Sequence, residues 1–376
     1  MDRKNNGSRS RVRYAVAGLG YTSQAAVLPA FAHADNSELR ALITSDPDKA
    51  SELGRKYRIS NIFGYGNYEE YLRSGDVDAI YIAEPNHLHR EFTVRSARAG
   101  VHVLCEKPMA VTAPECEEMI SVCRESGVLL MIAYRLHFEE ANLEAIRIGR
   151  SGELGDLRIF NSVFSQQVVK GSVRVEQSIP AGRGTLYDMG VYCINAARYL
   201  FRDEPVEVSA LSAASADERF QNIDEMTSAV LRFPEERLAS FTSSFGAAPV
   251  SEYQLVGTRG SLKVHSAYEF TEPIRHTLTL GDGKPKVREF PKRDQFAQEL
   301  IYFSDCIRSG REPEPSGVEG LADVRIIEAL YKSAMTQTAV RLGPFEKQRY
   351  ASRNQQITRP PVSELDLVHA ESPSGR

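Results

Sequence analysis

Glu106-Lys107-Pro108 is the stretch of this chain whose residue types and placement best suit acid–base chemistry. It follows Val101-His102-Val103-Leu104-Cys105, an apolar and β-branched run after the turn residue Gly100, which reads as a buried strand. Pro108 ends that strand because it has no N–H for the ladder. Two opposite charges at the carboxyl end of a buried parallel strand stand where open α/β sheets bind their ligands. A lysine held there by a carboxylate can donate to a developing oxyanion or relay a proton. Taken alone, the same tripeptide is also an ordinary strand-end ion pair. A second pair, Asp188 and Tyr192, is spaced i,i+4 in the helical stretch 184–195 and shares one face. By itself that pair is equally a helix surface with a half-buried tyrosine.

The elements around these groups alternate between strand and helix. Arg13-Tyr14-Ala15-Val16-Ala17 reads as a strand, followed by Gly18-Leu19-Gly20 and an amphipathic segment over 24–31. Glycines there let the backbone turn tightly and approach a pyrophosphate, which the free N–H groups of the next helix favour. Ser23 replaces the third glycine of the usual G-x-G-x-x-G, so the pattern is partial, with Gly18, Gly20 and Tyr21 as its cofactor-facing residues. A second strand, 39–43, ends at Thr44-Ser45-Asp46-Pro47. Asp46 before Pro47 is a helix N-cap with proline in the first turn. That leaves Thr44 and Ser45 at the strand end and Lys49 one turn into the helix. Small hydroxyls plus a cation suit a 2′-phosphate, so NADP is favoured over NAD.

Another strand, 78–83, leads into Glu84-Pro85-Asn86-His87-Leu88-His89. Asn86 is expected to cap the helix that runs to Ala99 and to line, with Pro85 and His89, the nicotinamide end of the crevice. His87 and His89, two apart at a loop-to-helix junction, make a poor ligand pair, and no metal is expected. Beyond Pro108, 113–126 is helical, and the strand 128–133 ends in Tyr134-Arg135-Leu136-His137. This alternation specifies an α/β fold with a doubly wound parallel sheet. Gly18, Thr44, Asn86, Lys107 and Arg135 should stand along one edge of it.

Past residue 150 the pattern changes. Segments 157–169, 206–214, 226–233, 239–244, 253–257, 261–265 and 276–280 alternate or are rich in β formers, which predicts a large, mostly antiparallel open sheet with one face covered. Helices over 295–309 and 318–336 complete an α+β domain. The expected organisation is a disordered N-terminus at 1–11, a nucleotide-binding domain at 12–134 and a substrate-binding and oligomerisation domain at 135–343. The tail at 344–376 is expected to be disordered, or an extended arm laid on another subunit.

Composition narrows the function classes. At 376 residues the chain is long enough for two cores. A formal net charge of −4 leaves no basic footprint for nucleic acid. No apolar run is long enough to span a bilayer, so no membrane partner is expected, and residues 1–10 lack the apolar stretch of a secretory leader. Five cysteines with no Cys-x-x-Cys pair suit reduced thiols and a cytoplasmic location.

The run Asn86-His87-Leu88-His89, followed by Ala99-Gly100-Val101-His102-Val103-Leu104-Cys105-Glu106-Lys107-Pro108, resembles the signature of the glucose–fructose oxidoreductase/inositol dehydrogenase (Gfo/Idh/MocA) superfamily. Three stretches are most similar to its glucose–fructose oxidoreductase branch: Ala133-Tyr134-Arg135-Leu136-His137, Leu186-Tyr187-Asp188-Met189-Gly190-Val191-Tyr192 and Asp217-Glu218-Arg219-Phe220. The resemblance implies an N-terminal Rossmann domain and an NADP-dependent sugar oxidoreductase. Lys107, Asp188 and Tyr192 match the branch's catalytic lysine, aspartate and tyrosine, and Thr44 and Lys49 match the residues that hold the NADP phosphate.

The implied reaction is hydride transfer between nicotinamide C4 and a carbinol or carbonyl carbon of an aldose, ketose, lactone or polyol. Tyr192 would be the acid/base on the reacting oxygen and Lys107 its electrostatic support. Asp188 would orient a substrate hydroxyl, and Glu106 would position Lys107. The partners are then a small sugar and further copies of the chain, in a homodimer or homotetramer formed through the second sheet. Branch members carry a tryptophan near the nicotinamide, from the loop before the helix of Asp188 and Tyr192. This chain has no Trp, so the loop at about 171–182 is where substrate identity should be set. Two further readings stand beside this one. One is an exchange enzyme that keeps its NADP and oxidises one sugar while reducing another; the other is an NADP- and sugar-binding regulator without turnover.

Overall fold

The computed structural model describes residues 11–176, 178–347, 349–363 and 366–373, so the expectation for residues 1–10 lies outside it. Six strands form the first sheet: β1 (Val12–Ala17), β2 (Ser37–Ile43), β3 (Ile62–Phe63), β4 (Ala79–Ile82), β5 (His102–Glu106) and β6 (Leu130–Ala133). All pair in parallel in the order β3-β2-β1-β4-β5-β6. The order reverses at β1, which opens a crevice over the carboxyl ends of β1 and β4. Every residue of β4 and β6 is buried, as strands covered on both faces must be.

Local chemistry sets the helix starts. Asp46 accepts the N–H groups of Asp48 and Lys49 and opens the helix Pro47–Tyr57, as the sequence predicts. Thr112 and Glu115 form a reciprocal capping box that opens Ala113–Glu125. The helix Asn86–Arg98 departs from expectation. Pro85 holds its cap position, no side chain caps it, and the Asn86 amide donates instead to the Gly182 carbonyl. Asn86 is therefore a tie between this strand end and a distant loop, not a helix cap.

Nine strands form the second sheet: β7 (Leu157–Ser165), β8 (Glu207–Ala213), β9 (Met226–Phe233), β10 (Arg237–Ser244), β11 (Val250–Gly257), β12 (Gly260–His265), β13 (Ile274–Leu280), β14 (Lys286–Phe290) and β15 (Val340–Arg341). Their order is β14-β13-β12-β11-β7-β10-β9-β8-β15, antiparallel except for the parallel pair β7 and β10. The expected strand 157–169 stops at Ser165. The edge strand β14 escaped the sequence reading because it is largely exposed and charged. The helices Glu140–Arg150, Val191–Phe201 and Gly317–Thr336 pack on one face of this sheet. The other face is open and carries Ile159, Val163, Val230, Leu238 and Leu211, the last of them 70% exposed.

Two later segments return to the first sheet. The helix Ala297–Ser309, which the sequence reading groups with the second domain, brings Leu300 and Phe303 against Val12, Tyr14 and Leu42. Its Ser304 Oγ lies 2.9 Å from Tyr14 Oη and 2.8 Å from Ser37 Oγ. Without it, that face of β1 and β2 would lose part of its cover. The described part of the tail is largely extended, one of the expected alternatives, and makes contacts with its own chain. Lys347 is buried against Glu314 and Glu319, and Arg359 Nε donates to the His33 carbonyl at 2.9 Å.

Candidate active site

Glu106 and Lys107 stand at the end of β5, in the crevice. The Glu106 carboxylate accepts the Tyr81 hydroxyl at 2.7 Å and the Lys107 N–H at 3.2 Å. Burial pushes the Glu106 carboxyl up from its ordinary range, with the Lys107 charge and the Tyr81 hydroxyl opposing that shift. Its job is to fix the strand end from which Lys107 projects. Lys107 Nζ donates to the Asp188 carbonyl at 3.1 Å and lies 3.7 Å from Asp188 Oδ1. The same ammonium stands over the Tyr192 ring, 4.5 Å from its centroid. The three residues singled out in the sequence thus meet in one place.

Asp188 and Tyr192 reach Lys107 from a wide helical turn, Leu186–Gly190, that runs into the helix Val191–Phe201. Wide π-type turns of this kind recur at functional sites. Asp224 pins the turn's start by accepting both the N–H and the hydroxyl of Thr185. Tyr192 is held between Phe164 and Tyr268, and Arg135 Nη2 lies 3.5 Å from its hydroxyl. Arg135 is itself fixed by Gln295 and by the Tyr268 carbonyl. Arg135 thus stands beside Tyr192 and Lys107 at the end of β6, and its expected contact with the cofactor is a proposal.

The loop of 171–184 supplies cations that the sequence reading did not name. Arg174 Nε lies 2.9 Å from Asp188 Oδ2. Burial would raise the Asp188 carboxyl, but Arg174, Lys107 and Arg183 outweigh it and hold the group below the ordinary carboxylate range. Asp188 is thus an anion ready to accept a hydrogen bond. Arg174 sits in the short helix Val173–Glu176 and also donates to Gln166 at 3.1 Å; no motif in the sequence marks it.

The nucleotide side follows the strand ends. Gly18 has φ +83°, and a Cβ on it would collide with the Ala83 carbonyl at the end of β4. A Cβ on Gly20 would meet no atom within 4 Å, so an open cradle lies over the helical turn Ser23–Val27. Ser23, in place of the third glycine, donates its hydroxyl to the Gly18 carbonyl and closes the turn. This arrangement fits a pyrophosphate, with backbone exposed and no side chain in the way. Thr44 accepts the Asp46 N–H at 3.1 Å, Ser45 is exposed, and Lys49 lies one turn on. Glu84, bonded to Tyr65 Oη at 2.6 Å, is a groove residue that the sequence reading passed over.

Tyr21 and Pro85 are partly exposed beside the crevice. His89 does not join them. It is fully buried, with its ring nitrogens 2.9 Å from the Pro108 carbonyl and 2.7 Å from the Glu84 carbonyl. Burial drives it down to about 4, so it is a neutral brace between two strand-end turns and not a cofactor contact.

Residues 12–134 match the model of the GFO/IDH/MocA oxidoreductase family with its NAD-binding Rossmann fold, and residues 143–263 match that family's C-terminal domain. A D-xylose 1-dehydrogenase (NADP(+)) of Haloarcula marismortui is 30% identical over 338 residues, 88% of this chain and 93% of that protein. The chain belongs to the GFO/IDH/MocA oxidoreductase family. The crystal structure of an aldose-aldose oxidoreductase from Caulobacter crescentus, complexed with glycerol, has a TM-score of 0.84 and 36% identity to this family member, over 88% of this chain and 100% of that one. A 3-ketoreductase from Actinomadura kijaniata, in complex with NADP and TDP-benzene, has a TM-score of 0.78 and 26% identity, over 86% of this chain and 98% of that one.

Proposed function

We propose that this oxidoreductase transfers hydride between NADP(H) and a carbinol or carbonyl carbon of a sugar: an aldose, ketose, lactone or polyol. The observation that carries the reading is the convergence of Lys107, Asp188 and Tyr192 at the mouth of the crevice. Bound nicotinamide supplies the hydride acceptor or donor at C4. In oxidation the sugar C–H leaves as hydride and the hydroxyl proton passes to Tyr192 Oη. In reduction Tyr192 returns a proton to the carbonyl oxygen. The Lys107 ammonium over the ring and the Arg135 guanidinium 3.5 Å from the hydroxyl place two cations beside the oxygen that exchanges the proton. Asp188 takes a hydrogen bond from a neighbouring sugar hydroxyl and sets which carbon faces the hydride.

NADP rather than NAD is supported by Thr44, Ser45 and Lys49 at the end of β2, and by the NADP named for the Haloarcula and Actinomadura relatives. We assign nucleotide binding to residues 12–134 and substrate binding to 135–343. A second copy of the chain is the partner we assign to the open face of the second sheet. Among the described residues, no helix is long and apolar enough to cross a membrane. Five free, buried thiols suit a reducing cytoplasm.

The test is reduction of NADP, and of NAD, by a panel of aldoses and polyols. Lys107→Ala and Tyr192→Phe are expected to lower kcat by about 10²–10⁴-fold, with nucleotide affinity little changed. Near wild-type turnover in both variants would overturn the assignment. A second reading, sugar-to-sugar exchange on a retained nucleotide, draws support from the Caulobacter relative's name. In that case the protein as purified would carry a nicotinamide whose absorbance responds to sugar alone.

A further inference from the structure

The last described stretch, residues 366–373, is not used by the mechanism above. Lys56 Nζ, near the end of the helix Pro47–Tyr57, donates to the Asp366 carbonyl at 3.0 Å. Two residues on, Val368 is bound to the Gln24 side chain in both directions. Its N–H donates to Gln24 Oε1 at 2.7 Å, and its carbonyl accepts from Gln24 Nε2 at 2.8 Å. The same Nε2 donates to the Leu19 carbonyl at 2.9 Å, inside the glycine turn. Gln24 is 2% exposed, and the Val368 side chain packs on the core beneath. The segment is therefore fastened to the turn that faces the pyrophosphate.

His369 then redirects the chain at φ +43°. Its Nδ1 lies 3.0 Å from Asp46 Oδ2 and its Nε2 3.5 Å from Asp48 Oδ2. Farther on, the Pro373 carbonyl accepts the Val169 N–H at 3.1 Å, just past β7 in the other half of the molecule. The backbone from His369 to Pro373 can span at most about 14 Å. It runs from the 2′-phosphate corner of the first half to the second half, and so passes over the groove between them.

We propose that residues 366–373 form the outer wall of the nucleotide groove and keep NADP on the protein between turnovers, with His369 setting the preference for the 2′-phosphate. The inference rests on reading the groove as an NADP site. Asp46 and Asp48 flank the corner formed by Thr44, Ser45 and Lys49, and two carboxylates there repel a phosphate. An imidazolium between them cancels part of that field and leaves Lys49 to attract the phosphate. Hydrogen bonding to Asp46 favours the protonated ring, against the smaller effect of the Lys49 charge.

The test compares the full chain, a chain ending at Val362, and His369→Ala. Displacement of bound NADPH by excess NADP is followed by nicotinamide fluorescence, and NADPH and NADH affinities are titrated for each protein. Removal of residues 363–376 is expected to speed NADPH release roughly tenfold or more, the scale of one or two lost hydrogen bonds. His369→Ala is expected to weaken NADPH several-fold and leave NADH where it was. NADPH release from the shortened chain at the full-length rate overturns the wall. Equal losses for the two nucleotides in His369→Ala overturn the phosphate role. A full chain that binds neither nucleotide overturns the reading of the groove, and the wall with it. Melting curves without nucleotide report whether the shortened chain folds; the His369 substitution, at an exposed side chain, stands as the test if it does not.

Discussion

Arg174 is the residue that most sharpens the chemistry of the site, because it holds Asp188 as an anion from outside both sheets. Asp188 lies below the ordinary carboxylate range through Arg174, Lys107 and Arg183 together, against the upward push of burial. With Arg174→Gln the push gains ground and the carboxyl moves up. The acid limb of the kcat/KM profile should then shift to higher pH. Arg174→Lys should restore most of that shift. A limb that stays put in Arg174→Gln would show that Asp188 does not depend on this arginine. Strand end and helical spacing leave Lys107, Asp188 and Tyr192 open to a structural reading, and it is the family resemblance that singles them out as a set. Arg174, Gln295 and Tyr268 were not legible in the sequence, since each acts through a partner far along the chain. His89 was misread for a related reason: spacing puts it at the loop, but only the fold reveals two carbonyls closing over its ring.

Among the elements, the glycine turn carries two residues with different duties. Gly18 is pressed against the end of β4 at positive φ, whereas Gly20 borders open space. Gly18→Ala should destabilise the protein by more than about 1 kcal/mol, through both the backbone conformation and the collision with Ala83, and so lower the melting temperature with or without nucleotide. Gly20→Val should leave the melting temperature of the free protein nearly unchanged and abolish the stabilisation that added NADP gives. Equal behaviour of the two variants would mean that the turn is only structural. The buried strands of the first sheet were legible as short apolar runs, and the two-residue β3 was too brief to register. In the second sheet the alternation of buried and exposed residues along β9 is plain in the sequence. The charged edge strand β14 has no such pattern, and its pairing with β13 comes from the sheet and not from propensity.

For the molecule as a whole, the open face of the second sheet is the largest unsolved burial problem, with Leu211, Val230 and Leu238 exposed on it. On the proposal that a second copy covers this face, light scattering should give more than one chain for the wild type and one chain for Leu211→Asp combined with Val230→Lys; a single-chain wild type, or a variant of unchanged mass, would contradict it. Stability should also fall in acid. Burial drives His89 down to about 4 and His137 to about 3. Both contributions are intact above the ordinary histidine value and are lost as pH falls toward the folded values. Each histidine then costs about 1.4 kcal/mol per pH unit below roughly 6.5. Urea unfolding of His137→Asn between pH 7 and 5 should therefore fall off less steeply than wild type by about that amount per unit; parallel slopes would contradict it.

The return of the helix Ala297–Ser309 to the first sheet has a consequence for how the chain can be divided. A fragment ending at residue 134 would contain every strand of that sheet yet leave Tyr14 and Ser37 without Ser304, and Val12 and Leu42 without Leu300 and Phe303. Any chimera that borrows the nucleotide half of this protein must carry two separate pieces of sequence, and a protease nick between them should leave the two pieces associated.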